Sequence, residues 1–202
     1  MNKNYHFTES WFSHSDLDAF VPKTNDEIKM LEVGSFEGRS TVWFLENVLL
    51  NSKSTITCVD PWTTYSQNSD TFNSYFTSES EWDFRNHKRT FLHNIYNSGY
   101  MEKVNVIQDS SHLALPKMIS NGDKFDIIFI DGNHTSPFVI TDCVMSWYLL
   151  NKGGLMIFDD YLWGDVNSTN SPKIAIDSFV NCFKDYLEVV WSDYKFAIKR
   201  IK

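Results

Sequence analysis

The chain is poor in cysteine, glycine, proline and positive charge, and each shortage removes a class of protein. Three cysteines, Cys58, Cys143 and Cys182, are too few and too scattered for a disulfide framework or a zinc cluster, so a reducing, cytoplasmic setting is expected. No apolar run approaches the length that spans a bilayer, and Met1 to Phe12 is polar where a secretory leader would be apolar. Neither export nor a membrane anchor is expected. Lys and Arg number 18 against 26 Asp and Glu, a net charge of −8 with a pI near 5.1. A surface of that sign repels a phosphate backbone, so duplex nucleic acid is not the expected partner. With eight Gly and five Pro in all, the few turns that use glycine carry information.

What remains is a chain of 202 residues, 42% hydrophobic and 22% charged, the make-up of a globular domain with a core of its own. Aromatic residues reach 16%, which is unusually many. Short apolar runs alternate with amphipathic stretches, which predicts βαβ units and an α/β, doubly wound sheet in one domain. The expected strands are Ile28–Val33, Thr55–Val59, Val104–Gln108, Phe125–Ile130 and Gly154–Phe158. The expected helices are Ser40–Leu50, Glu81–Asn97, Ser111–Ser120, Pro137–Leu150 and Ala175–Tyr186, and the tail Glu188–Ile201 reads as two more strands around Ser192-Asp193. Residues 1–27 read as a helical preface to a domain over 28–202, with an aromatic-rich insertion at 61–82.

In an open parallel sheet, ligands bind beyond the carboxyl ends of the strands. The residues falling there are Gly34, Asp60, Asp109, Asp131 and the Asp159-Asp160 doublet. The first loop reads Leu31-Glu32-Val33-Gly34-Ser35-Phe36-Glu37-Gly38-Arg39-Ser40. Gly34 permits a tight turn off the strand, and Gly38 permits a close approach of backbone to a ligand at the next helix. Phe36 breaks the dinucleotide fingerprint, and no Gly-Lys-Ser/Thr ends a phosphate loop. Glu32 and Glu37 supply negative charge, which suits a cationic, phosphate-free ligand. Asp60 is placed to accept from both hydroxyls of a ribose, although before Pro61 it also reads as a turn residue. Asp109, before Ser110-Ser111, also reads as a helix cap.

The ordered set E-V-G-S-F-E-G-R-S-T, C-V-D-P-W, F-I-D-G-N-H and K-G-G-L-M-I-F-D-D-Y-L-W resembles the class I S-adenosylmethionine-dependent methyltransferases. Within them it looks most like the small O-methyltransferase branch of macrocin-type and cephalosporin-hydroxylase relatives. The resemblance implies a seven-stranded sheet with a reversed last strand and methyl transfer from a sulfonium. It also implies that Glu32, Gly34, Ser35 and Gly38 line the methionine and ribose side, Asp60 holds the ribose, and Asp109-Ser110 meets the adenine edge.

Methyl transfer to an alcohol needs an aligned nucleophile whose proton is removed or masked. Asp131, Asp159 and Asp160 end two adjacent strands, where their carboxylates can converge on Mg²⁺ or Mn²⁺. No Lys or Arg is expected beside them, so a metal is expected to hold the acids together; as an alternative, the doublet binds backbone amides of its own loop. His134, three residues after Asp131, is placed as the general base, with a surface or capping histidine as the other reading. Insertion 61–82 reads equally as a lid over a flat hydroxylated acceptor such as a sugar and as the interface of a homodimer or a small satellite core. Tyr161, Leu162 and Trp163 extend the acceptor wall. Asp131-Gly132-Asn133-His134 is not the N/D-P-P-Y/F element of nucleic-acid amino-methyltransferases, and the first loop lacks a dehydrogenase's glycines. A non-catalytic binding or scaffold module is the reading from outside the enzyme class.

Overall fold

A computed structural model describes residues 4–62 and 84–202. The elements in chain order are α1 (Leu17–Phe20), β1 (Lys29–Val33), α2 (Arg39–Asn47), β2 (Thr55–Val59), α3 (Phe84–Ser98), β3 (Val104–Ile107), α4 (Ser111–Asn121), β4 (Phe125–Ile130), α5 (Ser136–Leu149), β5 (Leu150–Phe158), α6 (Lys173–Phe183), β6 (Leu187–Ser192) and β7 (Phe196–Arg200). The strands form one seven-stranded sheet in the order β3-β2-β1-β4-β5-β7-β6. β1 to β5 pair in parallel, and β7 runs antiparallel to both β5 and β6. This is the α/β, doubly wound sheet with a reversed last strand that the sequence and its resemblance predict.

Both faces of the sheet are covered, and the pleat sorts the side chains between them. Along β4, Ile127 and Phe129 join the cluster under α2 and α3, while Ile128 and Ile130 join the one under α4, α5 and α6. β5 repeats this, with Leu155 and Ile157 on the first face and Met156 and Phe158 on the second. Strands buried on both faces read as near-continuous apolar runs, which is why Phe125–Ile130, interrupted only by Asp126, stands out in the sequence.

β5 starts at Leu150 rather than the expected Gly154. Leu150 already pairs with Phe125, and the register then shifts before Ile127 meets Leu155. A Cβ on Gly154 would lie 2.9 Å from the Asp126 carbonyl oxygen, so that irregular crossing needs its glycine. Of the expected helical preface, only α1 is helical; residues before it run along the surface of α3 and the first loop. There, His6 and Asn94 exchange bonds in both directions, from the His6 amide to Asn94 Oδ1 and from Asn94 Nδ2 to the His6 carbonyl, each 2.7 Å. Tyr65, Phe72, Tyr75, Phe76 and Trp82 of the expected insertion lie outside the described residues. Among the described residues no helix is long and apolar enough to cross a membrane.

Candidate functional site

The loop from β1 to α2 is organised by Asp60 at the end of β2. Asp60 Oδ2 accepts from the amides of Ser35 and Phe36, both at 2.9 Å, and Oδ1 accepts from the amide of Trp62 at 2.7 Å. A carboxylate offers about four lone-pair sites, so three are used in shaping the loop and about one is left for a ligand. Gly34 and Gly38 both have positive φ, at 86° and 79°. A Cβ on Gly34 would lie 2.1 Å from the carbonyl oxygen of Asp131, so this glycine lets the first loop touch the end of β4. The space at Gly38 is filled differently from the expectation. Its Cβ would meet the Phe91 ring at 2.8 Å, so the glycine serves packing of α2 on α3 rather than approach to a ligand.

The two acids of this loop are both turned inward. Glu32 is fully buried and accepts from Ser35 Oγ (2.8 Å), Ser40 Oγ (2.6 Å), Thr41 Oγ1 and Cys58 Sγ (3.4 Å), knitting β1 and β2 to α2. Burial pushes its carboxyl up, against the pull of those hydrogen bonds. Glu37, also buried, accepts from the Thr8 amide (2.7 Å) and Thr8 Oγ1 (2.8 Å) and lies 2.9 Å from His87 Nδ1. The expectation that these two acids present charge to a cationic ligand is therefore corrected: both are consumed inside the protein. Asp109 accepts from Ser110's amide (2.9 Å) and pairs with Lys117 (2.8 Å), which holds its carboxyl below the usual range.

At the ends of β4 and β5 the structure brings together Asp131, His134 and Asp160, one donor atom from each lying within 4.8 Å of the others. His134 Nε2 is 3.0 Å from Asp160 Oδ2 and 3.9 Å from Asp131 Oδ1. The first is a hydrogen bond; the second is too long for one and acts through charge. Burial works against a charged imidazole, but the two carboxylates outweigh it and push His134 up to about 10. Burial and the neighbouring charge of Asp159 push Asp131 up to about 7, while His134 overrides burial to bring Asp160 down. The Trp163 ring stands beside His134, centroids 4.9 Å apart.

Asp159 is set apart from this group. Its Oδ1 lies 2.5 Å from Nζ of Lys195, a side chain only 3% exposed, and it also accepts from the Asp160 amide at 2.8 Å. Burial raises its carboxyl against that ammonium. The expectation that no Lys or Arg stands beside these acids is corrected by the fold: Phe158 pairs with Phe196 in the antiparallel β5–β7 ladder. One step beyond that pair, Asp159 faces Lys195, and a further step brings Asp160 to Tyr194, whose hydroxyl donates to Asp160 Oδ1 at 2.9 Å. Sequence reasoning missed Lys195 and Tyr194, and also the N-terminal stretch. Trp11 stacks on Phe36 at 5.5 Å, and Phe12 lies under the Lys195 ammonium at 5.5 Å. Their signal was the placement of two polar residues in the turn before a reversed strand.

Residues 31–161 match the profile of a family described as a methyltransferase domain. A curated relative, the uncharacterized protein R132 of Acanthamoeba polyphaga mimivirus, is 27% identical over 173 residues, covering 86% of this chain and 67% of its own. Among solved structures, an O-methyltransferase from Bacillus cereus in complex with SAH matches with a TM-score of 0.61 at 18% identity, over 86% of this chain and 74% of that one. The O-methyltransferase TomG from Streptomyces achromogenes, in complex with SAM, gives 0.61 at 12% identity over 88% and 75%. A Clostridium thermocellum protein named for rRNA methylation gives 0.65 at 14% identity over 94% and 93%. At these identities the structures establish a shared fold.

Proposed function

Since this chain belongs to the methyltransferase-domain family and carries the class I methyltransferase fold, we propose that it transfers a methyl group from S-adenosylmethionine to a hydroxyl of a small acceptor, with a sugar as the leading class. The observation that carries the reading is the position of His134, hydrogen-bonded to Asp160 at the same strand-end edge as the Gly34 loop that touches Asp131. In this reading S-adenosylmethionine takes the edge lined by Gly34, Ser35 and Asp60, with Asp109 and Ser110 at its adenine end. The acceptor lies over His134 against Trp163, an aromatic face suited to a sugar ring.

His134 receives the hydroxyl proton in its neutral form at Nδ1, the ring nitrogen opposite the Nε2–Asp160 hydrogen bond, with Asp160 orienting the ring and Asp131 adding its field. Because the two carboxylates push the imidazole up to about 10, turnover rises with pH towards that value. The donor set fits a divalent ion, because two carboxylates already converge on one cationic nitrogen. Asp131 and Asp160 would hold it. When bound, such an ion supplies positive charge that lowers the proton affinity of an acceptor hydroxyl. The net charge of −8 tells against a nucleic-acid acceptor.

The test is release of S-adenosylhomocysteine across a panel of sugars and phenols, with His134→Gln as the paired variant. Glutamine keeps reach and polarity but is no base, so kcat should fall about 10²–10⁴-fold while S-adenosylmethionine affinity is retained. A wild type that binds S-adenosylmethionine yet releases nothing with any acceptor would be the scaffold module instead. A His134→Gln variant with full turnover would remove the base.

A further inference from the structure

The three carboxylates at the ends of β4 and β5 are matched by two cationic groups of the protein. His134 stands between Asp131 and Asp160, and Lys195 takes Asp159. The second pair is deeply placed, with side-chain exposures of 3% for Lys195 and 7% for Asp159. It is also held by two neighbours. The β5–β7 register brings Lys195 across from Asp159, and the Phe12 ring lies 5.5 Å from the ammonium. An ammonium buried this way has little freedom to swing off its partner, since leaving would strand two uncompensated charges.

A divalent ion and a protein cation cannot both sit on one carboxylate without strong repulsion. The His134 side chain, 34% exposed, can turn aside from Asp160, whereas Lys195, 3% exposed, stays on Asp159. We propose that Lys195 is a tethered cation of this site: its ammonium holds Asp159 out of the divalent-ion set and leaves Asp131 and Asp160 as the ion's carboxylates. The inference rests on the cation assignment made for the proposed reaction. Affinity for a hard divalent ion follows the number of carboxylate charges offered, so the chain binds its ion weakly and exchangeably, and Lys195 sets that weakness. The positive charge nearest β5 is then one the protein carries itself.

Mn²⁺ titration of the whole chain, followed by the electron paramagnetic resonance of the free ion and run without S-adenosylmethionine or acceptor, tests this directly. Lys195→Met should bind Mn²⁺ about tenfold more tightly than wild type, because Asp159 becomes a third carboxylate ligand. Asp159→Asn, with Lys195 in place, should leave the affinity as it was, whereas Asp160→Asn should weaken it. Where Lys195→Met does not fold, Lys195→Gln, which keeps a hydrogen bond for Asp159, takes its place. A Lys195 variant with no gain over wild type overturns the proposal, and it does so equally if wild type shows no measurable binding. So does an Asp159→Asn variant that loses as much as Asp160→Asn. A lack of methyl transfer with every acceptor would count against the proposed reaction and does not enter this titration.

Discussion

Gly34→Ala should be among the most damaging single changes in the molecule, and Gly122→Ala provides its control. Both glycines have left-handed backbones of nearly the same φ, 86° and 78°. Placing alanine there costs roughly 1–2 kcal/mol at either site, because Cβ crowds the following carbonyl. The surroundings then separate them. At Gly122 a Cβ meets nothing within 4 Å, so the backbone term is the whole effect. At Gly34 it would lie 2.1 Å from the Asp131 carbonyl oxygen and 2.7 Å from the Cα of Gly132, both backbone atoms that cannot rotate aside. Relief requires the first loop to lift away from β4, breaking the bonds by which Gly34 donates to the Val59 carbonyl and Asp131 to the Val33 carbonyl, 2.9 and 2.8 Å long. Gly34→Ala should therefore lose about 4–5 kcal/mol, the range reserved for forced backbone rearrangement, against about 1 kcal/mol for Gly122→Ala. Urea denaturation of both variants measures the difference. Equal losses would show that the two backbones are not in contact, and the joining of the first loop to Asp131 would have to be abandoned.

Asp60→Ala removes the acceptor for three loop amides and should weaken S-adenosylmethionine binding by about 1–3 kcal/mol; unchanged affinity by calorimetry in a folded variant would take Asp60 out of the site. Asp142, 2% exposed in α5, has its carboxyl pushed by burial up to about 6. A folded-state value above the unfolded one means that stability is fully present below about pH 4 and is lost as pH rises through about 6. Asp142→Asn should remove about 2–3 kcal/mol of that pH-dependent loss, and urea midpoints that fall equally in both proteins between pH 4 and 7 would contradict it.

Most of the sheet was legible because its strands are buried on both faces and so announce themselves as short apolar runs. Thr55–Val59 and Phe125–Ile130 form over the predicted residues, and α5 differs by one residue at each end. What failed was what depends on distant partners. β5 gains four residues because Leu150 finds Phe125 across a register shift, and no local pattern announces that pairing. Residues 4–10 have no helical stripe, and they are placed by contacts such as Thr8 to Glu37 and Tyr5 to Glu46, 29 and 41 positions away.

The site divides along the same line. Asp131, His134 and Asp160 could be brought together from sequence because each lies within four residues of the end of one of two neighbouring strands. Lys195 could not, since its partner 36 positions away is chosen by the register of a reversed strand. The backbone marks the region independently. Among the described residues, the non-glycine positions with positive φ are Phe36, Trp62 and Asp160, all in loops at the carboxyl edge. Each conformation costs on the order of 1–3 kcal/mol and persists only where its surroundings over-determine it. They do so here: Phe36 donates its amide to Asp60 and accepts at its carbonyl from Trp62 Nε1, and Asp160 is held by His134 and Tyr194. Local preference is overruled where the Asp60 loop and the His134 cluster must keep a fixed geometry. That coincidence of strain with converging polar groups is what a preorganised site requires, and packing alone gives no reason for it.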